Sequence, residues 1–387
     1  MRAPGTLAGP VVHLPVLRFT DQSLRPQPHI AVIGSDKVGN FVVTTPLLRG
    51  LKEKYPGCVL DFYGGDTTAD LEEYTPTIDS RFSLYTNRPG YLSALAGYVA
   101  SRARDHGPVD LCVNCDGFSS VAQVAATLLE PKYAAGAVLR ADRRAALPFE
   151  SDDPRARLLA DPDWNRNSLE VDYPGLLSSG YLSEILCRMA YVETDFARVS
   201  IGSEPAPFEV PDVLVHMTTT RPAKMWPAAH WRRLLTWCDE RGVTTGLVGS
   251  KPEIERDLYG GGAEDELLTA TGLRDLRGKT RLTELAGAFQ RAKAAVVVDA
   301  GPMHLAVGVG CPTLCLFGND SAGVGASPVN LWAPRAGNVL RVPSRATCTR
   351  CRDNRFRNTG CLVEDHPCMV GLAPDDVIAG LAKILGI

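Results

Sequence analysis

The chain has 387 residues, 45% hydrophobic and 22% charged, enough for two packed domains and against wholesale disorder. Forty-one Lys and Arg stand against 44 Asp and Glu, so a net charge of −3 exerts no general pull toward nucleic acid or an anionic membrane surface. An anionic ligand must therefore be held by a local site. No window reaches 18 consecutive apolar residues, which excludes a membrane-spanning helix. The first 20 residues carry short apolar runs broken by Pro10 and Pro15 and no secretory core, so a cytoplasmic protein is expected.

In chain order, residues 1–28 are Pro-rich and aperiodic and read as an N-terminal extension. His29–Gly34 is a short apolar run ending in Gly, the pattern of a buried parallel strand. A helix follows over Asn40–Tyr55, stopped by Pro56-Gly57. Cys58–Gly65 reads as strand, Tyr91–Arg104 as helix and Val109–Gly117 as strand and turn. Residues 140–178 are charged and aperiodic and read as a surface loop, a lid or acceptor-choosing segment. Tyr181–Tyr191 is again helical. The proline-rich Ser203–Pro211 reads as a linker. Beyond it the alternation restarts, through DVLVHM, AAHWRRLLTWCDERG, TTGLVG, LTELAGAFQRAK, AAVVVDAG, PMHLAVGVG and PTLCLFG. Strand–helix alternation in both halves predicts an α/β protein of two Rossmann-like domains, residues 29–205 and 206–387. Ligands should lie in the cleft at the strands' carboxyl ends. The last helix is expected to pack back toward the N-terminal domain.

Three blocks can carry chemistry. In Ile33–Pro46 a strand ends in a turn containing Asp36 and Gly39 and a helix begins, offering free N–H groups to an anion. Such turns also occur for purely structural reasons. In Met217–Pro227 the hydroxyls of Thr219 and Thr220 and the point charge of Lys224 sit after a strand, a pattern that suits a diphosphate. A solvated helix cap is the plainer alternative. In Val296–Asp320, Asp299 ends an apolar strand and can accept from ribose or sugar hydroxyls. Gly301 and Pro302 open the next helix, and His304 in its first turn can donate to a phosphate or sugar oxygen.

Together, VGNFVVTTPLL, TTRPAKMWP and DAGPMHLAVGVGCPTLCLFG resemble glycosyltransferase family 9, the ADP-heptose-dependent heptosyltransferases. DLRGKTRLTELAGAF, residues 275–289, resembles that family's intervening segment. The resemblance implies a GT-B architecture, two Rossmann-like domains facing a central cleft. It implies inverting transfer without a catalytic metal, from ADP-heptose or a similar nucleotide sugar. The acceptor hydroxyl would be on a glycan, a protein or a small molecule. Thr219, Thr220 and Lys224 would contact the donor diphosphate, Asp299 the sugar or ribose, and Gly301 and His304 the phosphate region. Gly278, Lys279 and Thr280 would lie near the base. The family carries Asp after the first-motif glycine as its proposed general base, but here Gly39 is followed by Asn40. An amide cannot take that proton. Asp116, in the turn after the third strand, is the first candidate to replace it, and Asp36 the second. A helix-capping role for Asp116 is the structural alternative. A non-catalytic nucleotide-sugar binder that lost its base at Asn40 is a rival reading.

Of eleven cysteines, seven are scattered singly, against a disulfide scaffold. Cys348, Cys351, Cys361 and Cys368 form C-x2-C-x9-C-x6-C within a cysteine-rich segment, residues 348–368, a credible four-thiolate site for structural zinc or iron. Four reduced thiols are the alternative. The segment also resembles that of iron-binding heptosyltransferases that modify bacterial autotransporters, which implies that a protein acceptor is conceivable. A scaffold organised by this cluster is the second rival. Arg350, Arg352, Arg355 and Arg357 in the same segment are read as a solvated basic loop or an anion contact.

Overall fold

The computed structural model describes residues 15–140, 145–149 and 152–387. Residues 1–14 of the expected extension, and 141–144 and 150–151 of the expected loop, lie outside the described residues. The chain forms two six-stranded sheets in which every strand pair is parallel.

The first sheet holds β1 (Leu17–Arg18), β2 (His29–Ile33), β3 (Val59–Gly65), β4 (Ser80–Tyr85), β5 (Leu111–Asn114) and β6 (Tyr133–Gly136), in the order β1-β6-β5-β2-β3-β4. The second holds β7 (Val213–His216), β8 (Thr245–Leu247), β9 (Arg274–Asp275), β10 (Ala294–Val298), β11 (Thr313–Leu316) and β12 (Val339–Arg341), ordered β12-β11-β10-β7-β8-β9. Central strands are buried on both faces, which explains why β2 and β10 are unbroken apolar runs after their first residues. In each sheet the strand order reverses at the middle. The crevice opens there, between β2 and β5 in the first sheet and between β7 and β10 in the second. The turns after these four strands carry Asp36–Gly39, Asp116, Thr218–Lys224 and Asp299, so topology alone gathers the sequence-selected residues.

The first long helix, Val38–Lys54, runs through Pro46 without breaking. Pro46 has no N–H for the carbonyl of Val42. The Thr45 hydroxyl donates to that carbonyl instead, at 2.8 Å. Thr45 Oγ1 in turn accepts from the Ser200 N–H at 3.1 Å.

Three expectations change. Residues 17–18, read as extension, pair with β6 as an edge strand, and Phe19 beside them is buried. Residues 140–178 contain two short helices, Pro154–Ala160 and Leu169–Asp172. Asp153 caps the former by accepting from the Arg155 N–H. The last helix, Pro374–Leu385, does not pack back on the N-terminal half. Val377 and Leu381 bury in the core of the second sheet, and Gly380 sits against Leu314 and Leu340. Its apolar face matches β10 and β11 and the helix Ala228–Asp239.

The linker is clamped to both halves. Tyr74 and Thr283 each donate a hydroxyl to the Glu204 carboxylate, at 2.6 and 2.5 Å, and Arg281 pairs with it at 2.8 Å. Gly287 lies so close to the Glu204 carbonyl that a Cβ there would stand 1.7 Å from it.

Candidate active site

The second half supplies a cationic corner. β7 ends at His216, and the following turn leads through Thr218 and Thr219 into a single 3-10 turn, Pro222–Lys224. Lys224 Nζ donates to the Asp299 carbonyl at 2.7 Å and to its carboxylate at 3.1 Å. Thr219 Oγ1 donates to the same carbonyl at 3.3 Å. Asp299 is 6% exposed, so this is a nearly buried pair at the end of β10. Thr220 is exposed beside it.

His304 lies in the helix Gly301–Gly308 that follows Asp299. Burial pushes its imidazole down to about 4, with Asp299 opposing and Lys224 reinforcing the shift. It is neutral near pH 7, and its buried Nδ1 has no protein partner. A neutral ring with an unused nitrogen at a helix start beside Lys224 is suited to a hydrogen bond with a ligand oxygen.

The first half meets this corner directly. A Cβ on Gly39 would stand 2.9 Å from His304 Cδ2, and one on Gly301 would stand 3.1 Å from Val38 Cβ. The glycines of the first and third motifs thus let two helix starts touch across the cleft. Asn40 follows, half-buried at this contact.

Asp116 and Asp36 lie on the first half's wall. Tyr85 donates its hydroxyl to Asp116, and the phenol is pushed up by burial, by that bond and by the nearby Asp36 charge. Gly65 permits the approach: a Cβ there would meet Asp36 Cβ at 2.4 Å and Tyr85 Cβ at 3.2 Å. Asp116 does not cap the next helix. Ser119 does so, accepting from the Ala122 N–H at 3.2 Å. Burial, then the charges of Glu255 and Asp36, raise the phenol of Tyr259 in the second half.

Gly278, Lys279 and Thr280 follow β9. Gly278 has φ +66° and its N–H donates to the Gly249 carbonyl at 3.0 Å, which seats it against Lys251. Lys279 is exposed and donates to the Asp275 carbonyl at 2.6 Å.

Sequence reasoning missed three neighbours. Glu255, 2% exposed, accepts from the Thr218 hydroxyl and from the Ser250 N–H. Burial raises its carboxyl. Its acidic position in the first turn after the β8 loop was the available signal. Tyr85 gave none, because only β4 pairing brings it to Asp116. Phe118, two residues past Asp116, is 74% exposed yet stacks on Trp164 at 5.1 Å and 21°. Trp164 in turn meets Trp332 of the second half edge-on.

The four clustered cysteines share one neighbourhood. Cys368 is pushed up to about 12, first by burial and then by Cys351, Cys361 and Cys348. Asn358 Nδ2 donates to Cys351 Sγ at 3.2 Å and the Val363 N–H to Cys361 Sγ at 3.5 Å. Soft thiols with N–H donors beside them fit zinc or iron by chemistry. Among the described residues, however, no three His, Cys, Asp or Glu side chains are placed so that they could hold a metal ion. Of the segment's arginines, Arg355 pairs with Asp163 at 3.1 Å and Arg352 with Asp353 at 3.4 Å.

Residues 166–358 match the model of glycosyltransferase family 9 (heptosyltransferase). That match takes in just under half of the chain and includes the second and third sequence motifs. It is 33% identical over 177 residues to lipopolysaccharide heptosyltransferase 1 of Pseudomonas aeruginosa, covering 43% of this chain and 46% of that one. Over 310 residues it is 22% identical to lipopolysaccharide heptosyltransferase 3 of Escherichia coli, 78% of this chain and 84% of the other. The chain thus spans less than half of the first relative and most of the second. In fold it is similar to a family 9 glycosyltransferase from Veillonella parvula (TM-score 0.68, 16% identity, 94% and 98% of the two chains). It is also similar to TibC, an iron-containing dodecameric glycosyltransferase of enterotoxigenic E. coli (TM-score 0.56, 13% identity, 96% and 80%). The architecture is GT-B. No helix among the described residues is long and apolar enough to cross a membrane.

Proposed function

We propose that this chain is a family 9 glycosyltransferase that moves a heptose or related sugar from an ADP-sugar to an acceptor hydroxyl, inverting the anomeric centre without a catalytic metal. One observation carries the reading. Lys224, Thr219, Asp299 and a neutral, under-bonded His304 converge where two helix N-termini meet. That corner offers one cation and several N–H and O–H donors to a diphosphate.

In the reaction, a carboxylate on the opposite wall takes the acceptor hydroxyl's proton. The freed oxygen pair forms the new bond to the anomeric carbon as the old carbon–oxygen bond breaks. Its electrons stay on the departing diphosphate, where Lys224 and the helix ends stabilise the charge. We assign Asp116 as that base. Its carboxylate is placed by Tyr85 rather than spent on a helix cap, and Asp36 is its neighbour around the same phenol. Gly278, Lys279 and Thr280 border the nucleotide base. The acceptor, a glycan in the first instance, would lie on Phe118 and Trp164, whose stacked rings begin two residues past Asp116.

Cys348, Cys351, Cys361 and Cys368 would hold zinc or iron as a structural cross-link of their segment. That metal takes no part in the transfer. Elemental analysis of protein purified without chelator tests it.

The central test is binding. ADP should raise the melting temperature, and ADP-heptose should raise it further, because ligands of the folded state stabilise it. Asp116→Asn should abolish transfer while leaving that shift intact. If UDP or GDP alone stabilised the protein, the ADP-heptose donor would be wrong. If Asp116→Asn transferred normally, the base would be Asp36 or absent.

A further inference from the structure

We infer that the cysteine-rich segment is the backing of the donor loop, and that His366 is a positioning residue for Lys224. This rests on the reading of Lys224 as the diphosphate ligand.

The peptide unit joining Ala223 to Lys224 is held from both edges. His366 Nε2 donates to its carbonyl, that of Ala223, at 2.8 Å. Its N–H, that of Lys224, donates back to the Arg221 carbonyl at 2.8 Å. Because the peptide is planar, these two bonds fix its orientation, and with it the bond from which the Lys224 side chain departs. The same segment holds the loop at three more points. The Ala223 N–H donates to the Thr359 carbonyl at 3.1 Å. Arg221 Nε donates to the Asn358 carbonyl at 2.8 Å. The Ala223 methyl is fully buried against Cys351 and Phe356.

His366 is built for this reach. Its φ of +46° lies in the left-handed region, a costly position for a residue other than glycine. Histidine tolerates it better than most residues. The conformation sits at the start of the short helix Pro367–Val370, which holds Cys368. The Lys224 side chain bonds to Asp299, and of the segment's contacts with the loop the bond from His366 is the one made to the peptide that carries Lys224.

The segment's sequence signal is its cysteines, which point to a structural cross-link. The geometry adds the reason for one at this place. A 3-10 turn of three residues has too few internal bonds to hold a lysine by itself. The loop borrows rigidity from the neighbouring segment that it is bonded to at Ala223 and Arg221.

The test compares ADP affinity by calorimetry in His366→Ala, His366→Gln, Lys224→Gln and the double variant H366A/K224Q. Circular dichroism confirms folding of each. Losing one neutral hydrogen bond to the loop should weaken ADP about tenfold in His366→Ala. Gln, which can still donate, should recover most of that affinity and covers the case in which the alanine variant fails to fold. The decisive readout is the double variant. If His366 acts through Lys224, H366A/K224Q binds ADP as Lys224→Gln alone does. Additive losses, or wild-type affinity in His366→Ala, overturn the assignment of His366. Unchanged affinity in Lys224→Gln overturns the donor-site reading itself, whatever His366 does.

Discussion

Gly39 and His304 are in van der Waals contact across the two halves, so close that a methyl on the glycine would stand 2.9 Å from the imidazole. The fit is tighter than a side chain allows. Gly39→Ala must push His304 aside or part the halves. Overpacking of this kind costs about 1–3 kcal/mol. We expect a loss of that size in urea denaturation, together with weaker ADP binding. A variant with wild-type stability and affinity would show that the contact is loose in solution.

Lys224 and Asp299 are both nearly buried, and each is the other's charge partner. Lys224→Met leaves the carboxylate alone, which for a buried pair costs about 3–5 kcal/mol. Adding Asp299→Asn removes the orphaned charge. The double variant K224M/D299N should therefore be more stable than Lys224→Met alone, measured by urea denaturation without nucleotide. Equal stabilities would mean that solvent already screens the pair.

His304 and His216 are both pushed down to about 4 by burial. An unfolded histidine titrates near about 6.5. Between those values the unfolded chain binds more protons than the native one, so stability rises with pH. The contribution is whole above about pH 6.5 and is lost as pH falls toward 4. Each residue accounts for a slope of roughly 1.4 kcal/mol per pH unit inside that window. His304→Asn and His216→Asn should each flatten the pH dependence of the urea midpoint between pH 4.5 and 6. An unchanged slope would mean that these rings stay protonatable in the fold.

A second buried network serves as a control away from the cleft. Asp61 accepts from His29 Nε2 at 2.9 Å and from Arg102 Nη2 at 2.6 Å. Burial works to raise its carboxyl, but these hydrogen bonds and charges hold it below the ordinary value. Its stabilisation is therefore present above about pH 4 and is lost as pH falls through the lower, folded value. Asp61→Asn should cost about 3–5 kcal/mol at pH 7 while the surviving folded protein binds ADP normally. Lost ADP affinity in folded Asp61→Asn would show that the network reaches the cleft.

Much of this was legible in the sequence because buried parallel strands write themselves as apolar runs. β2 and β10 announced themselves in that way, as did the glycine turns that follow. The contact of Lys224 with Asp299 is not written there, because it depends on the pairing of β7 with β10. What sequence does not write is the third dimension of short or half-polar pieces. β4 reads SRFSLY with a single buried side chain, so neither the strand nor the Tyr85–Asp116 bond could be foreseen. The Trp164 loop looked aperiodic because its order comes from partners far along the chain, such as Asn330, whose N–H donates to Asn167 Oδ1 at 3.0 Å. The last helix was misplaced for a similar reason: amphipathicity tells that a face is buried, not which sheet buries it.

The clamped linker has a consequence for anyone recombining such proteins. Glu204 is bonded to Tyr74 before it and to Thr283 and Arg281 after it, and Gly287 admits its backbone. A chimera that takes its N-terminal half from one homologue and its C-terminal half from another inherits two incomplete sets of partners if the crossover falls at the linker. The natural cut point by sequence is thus a poor one by chemistry. Grafts that carry Tyr74, Glu204, Thr283 and Gly287 as one unit should assemble where those that divide them do not.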